Sequence, residues 1–385
     1  MNIFLFLSFA FLLTFLIGRL LEKIRIPWLF APLLIGSVLA VNNPLLKITN
    51  SSEFIFLANF GMYLLLFVVG FEINVKNMQK ISGFIFKSTF FIIFLAAVLG
   101  GLFIHYVFGT SWLIAFLVAL SFATVGEAIL IPILEEFKIL KTKLGQSIIA
   151  IGSLDDVVEI FILVVVSFMI NSGQNSWHSL TIIVSSLILI FIITFALFKM
   201  KKEAVHFSLL PVDVLLNLAL FILLLFIGLG EYANAAALGA FLAGISLRNF
   251  IPKEKVNIFS KEIKGICYGF FAPIFFLWVG VSLNITYLFK YPLVILGMVI
   301  ISILAKLLGS WIMGKKEMGT RQSILLGIGL SVRFSTSIVI IKILYDSGFI
   351  GEELYSVIIA SSIIFQFIIP VTFSKLLLKW KVTKT

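Results

Sequence analysis

Apolar stretches of about 20 residues follow one another along the whole chain, each long enough as a helix to cross a bilayer core of roughly 30 Å. Hydrocarbon offers no water to a bare backbone, so such a chain is confined to a bundle of membrane-spanning helices. Thirteen spans are predicted, over 2–20, 28–42, 53–72, 82–108, 111–134, 144–170, 179–199, 208–229, 232–249, 266–282, 287–313, 320–345 and 354–377. The chain is 61% hydrophobic and only 12% charged, whereas soluble domains are nearer ~45–50% apolar. An ordinary soluble domain is excluded, and no segment is polar or long enough to form a separate one. The single cysteine, Cys267, excludes an intramolecular disulfide, and His105, His178 and His206 are too scattered to suggest a zinc site. The first span lacks a basic leader and a small-residue cleavage site, so it reads as a retained helix.

The net charge of +11 would suit nucleic acid or another anionic partner. Its distribution gives a simpler explanation. Lys306, Arg333 and Lys342 lie within spans, and Lys47 and Lys290 lie in loops on one side; the remaining 24 of the 29 basic residues collect on the other. The positive-inside rule then places the N-terminus outside and the C-terminus in the cytoplasm. The expected surroundings are lipid, as in a bacterial inner membrane, and no nucleic-acid role is needed.

The spans carry an internal repeat. Span 3 ends LLLFVVGFEINVKNM and span 10 ends FFLWVGVSLNITYLF, which aligns Gly70 with Gly280. A similar shift brings APLLIGSVLAVNNP near ALGAFLAGISLRNF, and SFATVGEAIL near GLSVRFSTSIV. Residues 1–170 read as one copy and 207–385 as the other, joined by a linker helix at 171–206. Together they form one membrane transport domain, with no soluble regulatory domain expected. A displacement of seven spans inverts one copy relative to the other, the architecture of many secondary transporters. Chance likeness among apolar helices is the alternative.

Spans 5 and 12 are equivalent under this repeat, and both look interrupted. Span 5 holds Thr124, Gly126, Glu127 and Pro132; span 12 holds Gly327, Gly329, Ser331, Arg333, Ser335, Thr336 and Ser337. Such residues tolerate broken backbone whose exposed half-helix ends can meet an ion. A close-packing face is the other reading. A charge inside each segment favours the break.

The chemistry is concentrated in span 6, where Asp155 and Asp156 stand side by side in IIAIGSLDDVVEIFILVVVSF. One carboxylate in a membrane span costs roughly 2.5 kcal/mol or more, and a pair adds repulsion. A chain that keeps such a pair binds a cation or carries protons with it. Asp156 offers a hard oxygen ligand to a small cation, Na+ or else Li+ or K+. Thr124, Ser153 or broken-helix carbonyls are the candidates for the remaining oxygens. Lys306 reaches the same central zone and suits an ion pair with Asp155 that opens when the carboxylate is protonated; a purely structural pair is the alternative. Glu159 lies one turn beyond Asp155 on the same face, where it extends the cation path or bonds to a nearby donor. Glu127 and Arg333 are expected to pair where the interrupted spans cross, and Lys342 to snorkel outward. An aspartyl protease needs two carboxylates converging from separate segments, and a channel needs a continuous lined pore. A secondary transporter without cofactor fits better than an enzyme.

On GSLDDVVEI, the lysine of SILAKLLGSW, the interrupted SFATVGEAIL, the FVVGFEINVKNM turn and the thirteen-span repeat, the chain resembles the monovalent cation:proton antiporters. The likeness covers essentially its whole length. It falls in the branch of NapA-type Na+/H+ antiporters and the membrane domain of Kef potassium-efflux systems. The resemblance implies an all-α NhaA/NapA-like fold in which a core bundle with two crossing broken helices moves against a dimerisation bundle, hence a homodimer. It also implies that Asp156 binds the cation and exchanges protons, that Asp155 pairs with Lys306, and that exchange is electrogenic, typically two protons per Na+. Kef members have Gln-Asp where this chain has Asp155-Asp156, and they carry a nucleotide-binding domain not expected here. In one respect the chain departs from the pattern. Many relatives have an acid in the second broken span, in a Pro-Arg-Gly-Glu-like string. Here the string is Val332-Arg333-Phe334-Ser335, and the acid is Glu127 in the first.

Overall fold

A computed structural model describes residues 2–24, 26–73, 82–125, 134, 137–140, 142–171, 177–199, 211–251, 254–332, 336–380 and 382, except the side chains at 153, 156, 157, 159, 160, 168, 171, 177–184, 187, 198, 199 and 249. The described residues are helical apart from turns and connections. In chain order the longer helices are α1 (Ile3–Lys23), α2 (Ala31–Leu39), α3 (Ser52–Glu72), α4 (Gly83–Phe108), α5 (Trp112–Ala123), α6 (Lys143–Asn171), α7 (Trp177–Lys199), α8 (Val212–Tyr232), α9 (Ala236–Phe250) and α10 (Val256–Val281). The helix Pro292–Gly329 is bent at Gly319, whose φ of 78° is open to glycine; its limbs are α11 (292–318) and α12 (320–329). It is followed by α13 (Thr336–Asp346) and α14 (Glu352–Lys379). Each predicted span meets a helix or, for span 12, two half-helices; of span 5 the described half is α5.

Local sequence explains the helix starts. Asn2, Ser51, Ser82 and Ser111 each turn a side-chain oxygen onto a backbone N–H three residues on, at 2.9–3.4 Å, satisfying donors that a helix leaves open. Two connections differ from the sequence expectation. The loop predicted between 313 and 320 is helix up to Gly319. Span 10 begins ten residues early, because the amphipathic segment Val256–Ile266 continues through one π-helical turn, Cys267–Phe271, into the apolar Ala272–Val281.

The chain divides into two compact units. One comprises Met1–Leu46, Asn77–Glu159 and Val279–Thr385; the other comprises Lys47–Lys76 and Ile160–Trp278. In the second unit α9 packs between α3 and α8, around the buried rings of Phe67, Phe71, Phe226 and Phe241. At one end of this unit Lys264 pairs with Glu72, and the Arg248 guanidinium lies 5.4 Å over the Phe71 ring. In the first unit α4 packs against α5 and α11, α11 against α14, and α13 against both α5 and α14.

One close contact occurs twice. A Cβ on Gly70 would fall 2.2 Å from Phe241 O and 3.3 Å from Ile245 N. A Cβ on Gly280 would fall 2.4 Å from Leu33 O and 2.8 Å from Ser37 N. The glycines are the pair that the sequence aligns, and the backbone atoms they meet, at 33/241 and 37/245, are likewise equivalent. Each glycine therefore seats its helix on a helix from the opposite half of the chain.

Candidate functional site

Asp155 stands twelve residues into α6, about 18 Å along its axis, and Lys306 fourteen residues into α11, about 21 Å along. Both fall in the central zone of a bilayer core roughly 30 Å thick. Lys306 Nζ lies 3.8 Å from Asp155 Oδ2, and the two side chains are 0% and 2% exposed. That separation is longer than a direct hydrogen bond, so the attraction is chiefly Coulombic. Burial strengthens it, because little solvent screens the pair.

Small residues hold Lys306 in place. Ala305 packs with Ala96 of α4 and Ala123 of α5. A Cβ on Gly327 of α12 would sit 2.9 Å from Lys306 O and 2.8 Å from Leu307 Cα. Helices meeting through Gly and Ala approach almost backbone to backbone, which fixes the backbone around Lys306 against three neighbours.

The interrupted spans meet close to this level of the bundle. Helix α5 ends at Ala123, and Thr124 is extended (φ −65°, ψ 156°). Helix α12 ends at Gly329, and α13 begins at Thr336. The buried hydroxyls of Thr124 and Ser337 share a hydrogen bond of 2.8 Å. Thr124 Oγ1 also lies 3.0 Å from Ser121 O, to which it donates, leaving Ser337 as the donor to Thr124. Two hydroxyl oxygens are thus held together where the broken spans touch.

The other sequence-predicted residues fall as follows. Asp156, Ser153 and Glu159 belong to α6, but their side chains are outside the described residues, as are Glu127 and Arg333 altogether. Lys342 differs from expectation: it is buried, and its ammonium is paired with Asp346 one turn on, which is 41% exposed. It does reach toward the end of α13, where the partly exposed carboxylate of Asp346 receives it. Two residues were not singled out in the sequence. Ser337 was legible only as one of several hydroxyls in span 12. Gln366, wholly buried in α14, had a plain signal: it is an amide in the middle of the apolar span 354–377.

Comparison with known proteins gives a consistent picture. Residues 9–380 match the family described as "Sodium/hydrogen exchanger, transmembrane". The chain is 29% identical over 367 residues to a protein of Methanocaldococcus jannaschii named "Probable Na(+)/H(+) antiporter 3", covering 93% of this chain and 92% of that one. It is 24% identical over 379 residues to "Na(+)/H(+)-K(+) antiporter GerN" of Bacillus cereus, covering 94% and 93%. Among solved structures, the sodium proton antiporter MjNhaP1 of Methanocaldococcus jannaschii superposes with a TM-score of 0.64 at 18% identity, covering 99% of this chain and 98% of that one. That likeness is one of fold.

Proposed function

The chain belongs to the transmembrane sodium/hydrogen exchanger family, within the monovalent cation:proton antiporters, and on that premise we propose that it exchanges Na+ for H+ by alternating access, with Asp156 as the shared site. It is an integral membrane protein and a secondary transporter rather than an enzyme. The observation that carries the reading is the buried Asp155–Lys306 pair in mid-span. A lysine that compensates Asp155 leaves one net negative charge on the double aspartate. That charge takes either a proton or a monovalent cation, and each neutralises the same carboxylate. Competition of this kind couples the two fluxes in opposite directions. Thr124, Ser153 and Glu159 are the oxygens proposed to line the path, with Glu127 and Arg333 neutralising the half-helix ends.

Electrogenic exchange follows if the Asp155–Lys306 pair carries a second proton when it opens. The doubled glycine contact at Gly70 and Gly280 supports reading 1–170 and 207–385 as inverted copies around the linker 171–206. A homodimer in a bacterial inner membrane, with the N-terminus outside, completes the reading. A second cation is favoured by one observation: GerN is named for K+ as well as Na+, so K+/H+ exchange is the alternative.

Asp156→Asn is expected to abolish cation-driven proton flux in proteoliposomes while leaving the protein folded. Normal flux from that variant would overturn the assignment. Scanning Na+, Li+ and K+ with the membrane potential clamped separates the cations and gives the proton stoichiometry.

A further inference from the structure

Lys143 is the first residue of α6, the helix that carries the double aspartate, and Glu317 stands in the last turn of α11, the helix that carries Lys306. The Lys143 ammonium donates to Glu317 Oε2 at 2.8 Å and to Glu317 O at 2.7 Å. It also lies 5.9 Å over the Phe84 ring of α4. The carbonyl belongs to the turn that α11 leaves open where it bends at Gly319. A cation supplied by another helix thus closes the end of α11, where the helix dipole also favours positive charge. The two side chains are 52% and 47% exposed, and a pair so exposed adds little to stability. Its consequence lies in position.

Two contacts now join α6 to α11, with the charges reversed between them: Lys143 to Glu317 and Asp155 to Lys306. Twelve residues separate Lys143 from Asp155 and eleven separate Glu317 from Lys306, about 18 and 17 Å along antiparallel axes. The spacings agree to within about one residue rise, so a single register closes both, and a slip of one turn, about 5.4 Å, breaks both. The Asp155–Lys306 attraction is Coulombic and falls off slowly with distance, so it selects no axial position to within an ångström. Directional hydrogen bonds do, and Lys143 makes two of them to one residue. The second broken span moves with α11. Ser323 of α12 donates to Gly319 O at 2.8 Å, a Cβ on Gly314 would fall 2.7 Å from Ser323 Oγ, and Gly327 sits against Lys306 and Leu307. Helices α11 and α12 therefore form one close hairpin. We propose that Lys143 is a positioning residue for the exchange reaction: by clamping the end of α11 from the start of α6, it sets the register in which Lys306 meets Asp155 and, through the hairpin, the depth at which the second span breaks. The inference rests on the antiport reading above.

The test is Na+-driven proton flux from the purified protein in potential-clamped proteoliposomes, with thermal unfolding in detergent measured alongside, for wild type, Lys143→Met, Lys143→Arg and Glu317→Gln. Lys143→Met is expected to raise the apparent KM for Na+ about three- to fivefold, the scale of one lost charged hydrogen bond at a half-exposed site, with an unfolding midpoint close to wild type. Loss of a positive surface charge by itself acts the other way, drawing Na+ in and lowering KM. Lys143→Arg keeps the charge and the donors and is expected to restore most of the affinity. Glu317→Gln keeps the carbonyl that Lys143 caps, so it raises KM only about twofold; if Lys143→Met folds poorly, that rise must still be seen. An unchanged or lowered KM in folded Lys143→Met, or an arginine no better than methionine, overturns the proposal and leaves the antiport reading standing. No cation-driven flux from wild type overturns both.

Discussion

At the scale of single residues, the buried charges decide most. Asp155 and Lys306 compensate one another 3.8 Å apart with almost no exposure. Removing either one takes a counter-charge from the other in a buried site. Asp155→Asn or Lys306→Met alone is expected to cost about 3–5 kcal/mol, read as a lower midpoint of unfolding in detergent. The double variant should recover most of that loss, since two neutral side chains need no compensation. Additive losses would show that the pair is not coupled. The double aspartate and the lysine were legible in sequence because a charge in an apolar run is conspicuous whatever the fold. Ser337 was not, since a serine in a membrane helix usually bonds to its own backbone, as Ser121 does at 2.7 Å and Ser331 at 2.8 Å. Only packing shows which hydroxyl turns across to another helix.

Helices and half-helices are joined here through close contacts. The 2.8 Å bond between Thr124 and Ser337 places two exchangeable side chains at the meeting of the broken spans. In a Cys267→Ala background, Thr124→Cys with Ser337→Cys is expected to form a disulfide on mild oxidation and to arrest flux. Reduction should restore it; full activity in the oxidised protein would mean that the two spans need not move apart. The doubled glycine contact makes a matched prediction. Gly70→Val and Gly280→Val each drive a branched side chain into a neighbouring backbone, and each is expected to destabilise by about 1–3 kcal/mol or more. If one is tolerated and the other is not, the two contacts are not equivalent. The existence of both broken spans could be read from their Gly, Ser and Thr content. The continuation of α11 to Gly319 could not, because Lys315, Lys316 and Glu317 look like a loop in a hydropathy profile yet form good helix.

For the molecule as a whole, the charge asymmetry predicts orientation. In a Cys267→Ala background, a cysteine replacing Lys290 should react with an impermeant thiol reagent from outside intact cells, and one replacing Glu317 only after the membrane is opened. The reverse pattern would invert the topology. Sequence alone determined the class of fold and where its apolar helices lie, because a bilayer acts on each segment by its own length and apolarity. It also marked Asp155, Asp156 and Lys306, because burying a charge is costly in any arrangement. Tertiary structure alone decided which partners meet. That Gly70 and Gly280 seat on helices from opposite halves, and that Thr124 bonds to Ser337, depend on helix rotation and contact. Lipid is as apolar as the helices it surrounds, so hydrophobicity does not select neighbours in a membrane; close fit between small residues and the pairing of buried polar groups do.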